Sequence, residues 1–211
     1  MSSLAEEVGG SAFELDIEDT AAITSVVGAA VQALGGGLDA VVFTSTVAPL
    51  AHIEDTDVAT WVHAFSVNAL GGANNVLRAV RPHLSEDGGV VLIASSHDVG
   101  RRGPAWPPTM PVRRRWTRFC IRGATSIPTC RWCASHLPTE GTEILRGADR
   151  DLLAQLFESW VEHGQLPARM AALDDVANTL LSLVLTAHEN PSVVPEFVQL
   201  SPRIKKVPAA N

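Results

Sequence analysis

The stretch Gly88 to Ser95, with the sequence GGVVLIAS, is the clearest indication of the fold. Its apolar residues follow one another without a polar interruption, which is typical of a strand buried on both faces of a parallel sheet. A second run of the same kind, Leu38 to Phe43 (LDAVVF), precedes it along the chain. Both runs are therefore predicted to be buried strands.

Helical patterns separate the two runs and predict how the strands are connected. Strands that alternate with helices at this spacing indicate βαβ units and a parallel sheet, so an α/β fold is expected. The first predicted helix should present an apolar face made of Ile23, Val26, Val27, Ala30 and Val31. The predicted elements, in chain order, are a strand over 11–17, a helix over 19–34, a strand over 38–43, a helix over 57–84, a strand over 88–95, helices near 149–163 and 173–187, and a strand over 193–200.

Length and composition favour a single domain over residues 1–211, with a loose tail over 203–211. The chain is 46% hydrophobic with a net charge of −7, and no apolar run approaches the ~20 residues that span a bilayer. The N-terminus lacks the basic and apolar regions of a signal peptide. A cytoplasmic protein without a membrane partner is expected.

One window departs from the rest of the chain. Residues 99–139 contain eight arginines, no acidic residue and all three cysteines. Within this window, residues 104–138 show no clean periodicity of 2 or 3.6, so an irregular segment is predicted there. The remaining sequence carries 8 basic and 23 acidic residues, which argues against a general nucleic-acid binder.

Two binding functions could arise from residues 113–136 of this window. Three cysteines and one histidine could bind zinc, or the cysteines could be reduced thiols that cluster by chance and bind no metal. The arginines beside Trp116 could bind phosphates and stack on a base, or they could be a solvated basic run. The expectation is no metal site and no nucleic-acid partner, with a non-catalytic zinc-binding or nucleic-acid-binding protein kept as the alternative. The four potential zinc ligands are Cys120, Cys130, Cys133 and His136.

Several motifs outside the window resemble those of the short-chain dehydrogenase/reductase family. Asn68 lies in SVNALGGANNVLRAVRPHL, and Ser96 follows the apolar run in GGVVLIASS. Pro138-Thr139 and the Asp174-Asp175-Val176-Ala177 stretch match later family motifs. The resemblance covers about 1–100 and 136–200. It implies a Rossmann-like fold and transfer of a hydride between NAD or NADP and a small carbonyl or alcohol substrate.

The same resemblance implies roles for individual residues. Ser96 would hydrogen-bond the substrate oxygen, and Asn68 would hold a water of the proton relay. A homo-oligomer is one expected form of the protein. The cofactor contacts that the resemblance implies are Asp16, Ile17, Thr44, Ser45, Pro138 and Thr139.

The family's catalytic Tyr-x-x-x-Lys is not found where it is expected. The positions thirteen and seventeen residues after Ser96 are Thr109 and Arg113. Threonine has no acidity near neutral pH, and arginine is not the compact donor that lowers the pKa of the tyrosine. The chain as written is therefore expected to lack dehydrogenase activity and to bind cofactor weakly or not at all.

The front of the family's sheet is also expected to be missing. The first two strands and the Gly-rich phosphate loop have no counterpart, so the sheet should be incomplete. Gly9-Gly10 and Gly35-Gly36-Gly37 do not follow a strand and precede a helix at the required spacing. Without those strands, Leu38–Phe43 should expose an apolar edge. NAD and NADP cannot be distinguished from this sequence.

A shift of reading frame across about 109–136 would explain the unusual window. If each codon takes the last base of one codon and the first two of the next, Met110/Pro111 must encode Ala and Trp116/Thr117 must encode Asp. Pro108/Thr109 permits Tyr, and Val112/Arg113 permits Lys. The hidden reading is then Tyr-x-Ala-Ser-Lys-Ala-Ala-Leu-Asp, which matches the family's active-site helix and accounts for a chain without tyrosine.

Overall fold

The structure of the chain is a computed structural model. It describes residues 2–86, 89–95, 134–136, 148–162 and 171–190, with the single positions 192, 198 and 200. The α-helices are α1 (Ser2–Glu7), α2 (Thr20–Ala33), α3 (Val58–Phe65), α4 (Val76–Val80), α5 (Arg150–Glu162) and α6 (Leu173–Glu189). A π-helical segment spans Ser66–Asn75, and 3₁₀ turns span Ile53–Asp55 and Arg81–His83. The strands are β1 (Ala40–Phe43), β2 (Val90–Ser95) and β3 (Ala134–His136).

The three strands form a parallel sheet in the order β1-β2-β3. Val41 pairs with Val91, Phe43 pairs with Ile93, and Ser95 pairs with His136. The predicted parallel α/β architecture is therefore confirmed. Within the described residues the sheet holds three strands, which agrees with an incomplete Rossmann-like sheet.

The core lies where α2 and α4 pack against the sheet. Apolar side chains from both helices and from β2 interlock there, and removing this surface from water is the main stabilising contribution to folding. Leu15, Val41 and Ile93 pack at its margin. The buried core residues are Ile23, Val27, Val31, Leu38, Val80, Leu84 and Val91.

Helix α2 forms as its sequence predicts. Asp19 caps it by accepting hydrogen bonds from the backbone N–H groups of Ala21 and Ala22, both at 3.0 Å. Of the predicted apolar face, Ile23, Val27 and Val31 are buried, while Val26 and Ala30 are half-buried. Gly35 and Gly36, with φ of 95° and 110°, follow the helix end in a backbone conformation that glycine adopts without strain.

The long helix predicted over 57–84 is not continuous. It consists of α3, the π-helical segment, α4 and a final 3₁₀ turn. Gly71, Gly72 and the pair Asn74-Asn75 are weak helix formers inside the π-helical segment, and Pro82 lacks the N–H that would continue α4. The apolar period was therefore recognised correctly, but the breaks within it were not predicted.

A tight contact at Gly89 joins the end of this helical region to β2. A Cβ at position 89 would lie 3.0 Å from the Leu84 Cβ and 3.1 Å from the Ser85 backbone N and O. The Gly89 N–H also donates to the Ser85 carbonyl at 3.0 Å. Because the backbones approach so closely, the turn into β2 requires a residue without a side chain.

The strand predicted over 11–17 is wrong. Residues 11–16 have no regular secondary structure, and a turn follows at Ile17 and Glu18. Alternation alone does not form a strand, because the backbone also needs a hydrogen-bonding neighbour, and β1 pairs instead with β2. Helix α1, before this stretch, was not predicted.

Strand β3 occupies residues 134–136 of the segment predicted to be irregular over 104–138. The other residues of that segment, and almost all of the predicted strand over 193–200, lie outside the described residues, as does the tail over 203–211. Among the helices that the structure describes, none is long and apolar enough to cross a membrane.

Candidate functional site at the carboxyl ends of the strands

The parallel register brings the carboxyl ends of β1 and β2 to the same side of the sheet. Phe43 at the end of β1 pairs with Ile93, two residues before the end of β2 at Ser95. We call this the strand-end edge, formed by Phe43 at the end of β1, by residues 44–47 after it and by Ser95. In open α/β sheets, ligands bind in the crevice outside the carboxyl ends of the strands, and the predicted cofactor contacts Thr44 and Ser45 lie at this edge.

Asn68 is the polar residue that organises this edge. Its Oδ1 accepts a hydrogen bond from the Thr46 Oγ1 at 2.7 Å and another from the Val47 N–H at 2.9 Å. Its Nδ2 donates to the Val47 carbonyl at 2.8 Å. The Asn68 carboxamide thus holds the segment that follows β1 by its hydrogen bonds to Thr46 and Val47.

Burial makes these three hydrogen bonds important for the site. Asn68 is only 5% exposed, between the buried residues Val67 and Ala69 in the π-helical segment. A buried amide without partners would cost about 1–3 kcal/mol, because water cannot replace the lost hydrogen bonds. The geometry therefore gives the Asn68 side chain a bonding role that the sequence did not reveal. Its predicted role of holding a relay water stays a prediction.

The two hydroxyl residues predicted to contact the cofactor lie just before this anchor. Thr44 and Ser45 are both exposed, while Thr46 and Val47 are half-buried. The strand ladder stops at Phe43, and the next backbone hydrogen bonds described in this segment are those of Val47 to the Asn68 side chain. The structure thus brings Asn68 together with the segment that carries Thr44 and Ser45.

Asp16 and Ile17 lie in the turn before α2. The Asp16 Oδ1 accepts a hydrogen bond from the Glu18 N–H at 2.9 Å, which shapes this turn. Glu18 in turn lies 3.1 Å from the Nδ1 of His63 on α3, which connects the turn to α3. Asp16 is exposed and Ile17 is half-buried, and their contact with a cofactor stays a prediction.

The other predicted site residues cannot be placed. Ser96, Thr109, Arg113, Pro138 and Thr139 lie outside the described residues. The cysteines lie outside them too, and His136 is described only as the last residue of β3. In the described part of the chain no cluster of three His, Cys, Asp or Glu side chains could hold a metal ion.

Sequence reasoning missed Thr46 and Val47. Thr46 follows Thr44 and Ser45, the two residues predicted to contact the cofactor, and its hydroxyl donates to Asn68. Thr46 and Asn68 are 22 positions apart in the sequence, so no local pattern could have paired them.

Comparison with known proteins agrees with this architecture. The family model described as enoyl-(acyl carrier protein) reductase matches residues 1–108, about half of the chain. An uncharacterized oxidoreductase of Schizosaccharomyces pombe is 36% identical over 169 residues, which cover 78% of this chain and 67% of that protein.

Solved structures share the fold at lower sequence identity. The short chain dehydrogenase from Mycobacterium paratuberculosis, bound to NAD, is 22% identical with a TM-score of 0.75, over 94% of this chain and 76% of that chain. A gluconate 5-dehydrogenase from Burkholderia cenocepacia, in complex with NADP and tartrate, is 17% identical with a TM-score of 0.71, over 94% and 77% of the two chains. With the matching family model and the yeast relative, these likenesses lead to one conclusion: the chain belongs to the short-chain dehydrogenase/reductase family of oxidoreductases.

Proposed function

We propose that this chain carries the strand-end site of an NAD(P)-dependent oxidoreductase acting on a small carbonyl or alcohol substrate. In the form written here it would bind cofactor weakly and would not turn over. The observation that carries the site is the buried Asn68 carboxamide, which holds the segment after β1 where Rossmann-like sheets bind dinucleotides. Family membership and the NAD- and NADP-bound relatives support the cofactor class.

The described residues suit the ribose and amide groups of such a cofactor better than its pyrophosphate. Thr44 and Ser45 present exposed hydroxyls at the strand-end edge, and hydroxyls suit the ribose and amide groups of a dinucleotide. The positive-φ glycines of the described part, Gly9, Gly35 and Gly36, follow the ends of α1 and α2. A helix C-terminus presents carbonyl groups, whereas a pyrophosphate needs the N–H groups of a helix N-terminus. These glycines therefore do not form a phosphate cradle.

The proposed chemistry divides between cofactor and chain. The bound nicotinamide would supply or accept the hydride. Ser96 would hydrogen-bond the substrate oxygen, and Asn68 would hold the strand-end segment and, through a water, support a proton relay. Thr109 and Arg113 stand where an acid of suitable pKa and its ammonium partner are needed, so the proton transfer would lack its donor.

The proposal includes the shifted reading frame across about 109–136 as the origin of this defect. The nucleotide sequence tests it directly. The shifted reading requires the Pro108 codon to end in T, the Val112 codon to end in A, and Arg113 to be an AGA or AGG codon. Any other base at one of these positions would rule out the hidden Tyr and Lys.

We further propose a cytoplasmic homo-oligomer that associates through one face of α3. Val58, Val62 and Phe65 are 77%, 58% and 43% exposed, and their i, i+4, i+7 spacing aligns them in one stripe. Apolar side chains in a continuous exposed stripe are typical of an interaction surface rather than of a solvated helix.

Two measurements on the purified chain test the proposed function. Titration with NADPH, followed by nicotinamide fluorescence, should show weak saturable binding, whereas no binding up to millimolar concentration would contradict the cofactor class. Oxidation of NADPH with a panel of small ketones and aldehydes should not exceed the rate of a Ser96→Ala control. Turnover above that control would contradict the proposed inactivity. Thr109→Tyr combined with Arg113→Lys should raise turnover, because the pair supplies the missing acid and its ammonium partner.

A further inference from the structure

We propose that Thr46 is a positioning residue of the strand-end edge. The Asn68 carboxamide holds Val47, and the hydrogen bond from the Thr46 hydroxyl makes it hold residue 46 as well. This bond therefore fixes the backbone next to Thr44 and Ser45. We call the three hydrogen bonds between Asn68 and the residues 46 and 47 the amide lock. The effect on cofactor affinity rests on the proposed function, whereas the effect on the backbone does not.

The first argument concerns what each hydrogen bond holds. The bonds from Asn68 to the N–H and carbonyl of Val47, at 2.9 Å and 2.8 Å, fix the backbone of Val47 alone. The bond from the Thr46 Oγ1, at 2.7 Å, fixes the neighbouring residue through its side chain. Because χ1 occupies one of a few staggered rotamers whose choice depends on φ and ψ, holding the Oγ1 also restricts the backbone of residue 46.

The second argument concerns the acceptor capacity of Asn68. A carboxamide oxygen has two lone pairs, and in the lock Thr46 fills one while the Val47 N–H fills the other. With the Asn68 side chain almost entirely buried, water cannot take the place of the hydroxyl. Loss of the Thr46 hydroxyl would leave a buried lone pair without a donor and would loosen the remaining bonds to Val47.

The third argument concerns the segment itself. Residues 44–52 form neither helix nor strand, so no repeating backbone ladder orders Thr44 and Ser45. Ordering a loop at the moment of ligand binding reduces affinity, and a loop ordered in advance avoids that cost. The amide lock supplies such ordering directly after the two exposed hydroxyls.

Amide hydrogen exchange measured by NMR on the full chain without cofactor tests the lock. In Thr46→Val, the Val47 N–H should exchange about fivefold to tenfold faster than in the wild type, as expected for one net hydrogen bond. The Val90 N–H, which donates to the Asp39 carbonyl at 2.8 Å in the sheet, serves as the reference and should not change. Thr46→Ser keeps the hydroxyl and should restore the slow exchange.

Three exchange results would overturn the proposal. They are unchanged exchange at Val47 in Thr46→Val, equal acceleration at Val47 and Val90, and failure of Thr46→Ser to restore protection. Equal acceleration would mean that the hydroxyl contributes only to global stability.

NADPH affinity provides the second measurement. Where the wild type binds, Thr46→Val should bind more weakly by a similar factor, and Thr46→Ser should bind as the wild type does. Unchanged affinity together with faster Val47 exchange would overturn the positioning role. A wild type that fails to bind NADPH would contradict the proposed function, and the exchange data would still decide whether the lock exists.

Discussion

Strands β1 and β2 have similar apolar sequences but very different surroundings. Val91 of β2 is fully buried, whereas Val42 of β1 is 49% exposed. β2 pairs with β1 on one side and β3 on the other, while β1 pairs with β2 alone among the strands that the structure describes. An apolar sequence thus allows a strand to be buried, but the neighbouring strands and helices decide whether it is buried.

The largest difference in unfolding free energy should appear when one valine of each strand is replaced by aspartate in separate variants. Val91→Asp would bury a carboxylate without a partner and should cost about 4 kcal/mol or more of unfolding free energy, enough to prevent folding. Val42→Asp should change that free energy by no more than about 1 kcal/mol, because its side chain reaches water. In urea denaturation, Val91→Asp should show no cooperative transition, whereas Val42→Asp should keep a midpoint near that of the wild type. Loss of the transition in both variants would show that β1 is covered in solution.

The second prediction tests how the end of β1 is held. Asn68→Ala removes all three bonds of the amide lock and leaves the Val47 N–H and carbonyl without their partner, which should cost about 2–4 kcal/mol. Asn74→Ala is the matched control. That side chain is half-buried, with a longer 3.4 Å bond to Asn75, and its loss should cost less than about 1 kcal/mol. Similar denaturation midpoints for the two variants would contradict the anchoring role of Asn68.

The third prediction compares the exposed apolar residue of β1 with the exposed stripe on α3. Val62→Glu should weaken self-association about tenfold, by placing a charge at the centre of the stripe. Ala29→Glu adds the same charge at an exposed position of α2 and should leave association unchanged. Sedimentation velocity over a concentration series separates these results. If Val42→Asp rather than Val62→Glu produces monomers, the oligomer forms through the face of β1 that carries Val42.

The smallest effect concerns the helix that follows β1. The hydroxyl and backbone N–H of Thr60 hold the pKa of Asp57, the cap of α3, below its ordinary value of 3.8. A lowered folded-state pKa stabilises the fold fully above 3.8, and this contribution is lost as the pH falls through the lowered value. Asp57→Asn should therefore flatten the dependence of Tm on pH in that acidic range.

A charge-matched variant provides the control for this last prediction. Asp55→Asn removes the same charge in the preceding 3₁₀ turn while leaving the cap of α3 in place. If both variants flatten the Tm profile equally, the effect comes from net charge rather than from the cap.

The sequence was most informative where a structural signal is local. Asp19 and the spacing of Ile23, Val27 and Val31 predicted α2 to within one residue at each end. It was least informative where a neighbour decides the outcome. The alternating residues 11–17 satisfied a strand pattern but formed no strand, and β3 lay in a segment with no recognisable period.

The candidate site shows the same division. Asn68 was identified from the family motif around it, and Thr44 and Ser45 were cofactor contacts that the family resemblance implied. The partners of Asn68 were not identified, because a hydrogen bond across 22 residues depends on how the π-helical segment packs beside β1. The sequence suggested a relay role for this residue, and the structure adds a bonding role for its side chain.

By itself the sequence determined the parallel α/β class, the order of its main helices and strands, and the family. Each of these depends on hydrophobic periodicity and short motifs, which are properties of neighbouring residues. The tertiary structure alone decided that β2 is buried while β1 stays half-exposed, and that Asn68 holds Thr46 and Val47. Burial and buried hydrogen bonds depend on residues brought together from distant parts of the chain, so no local pattern encodes them.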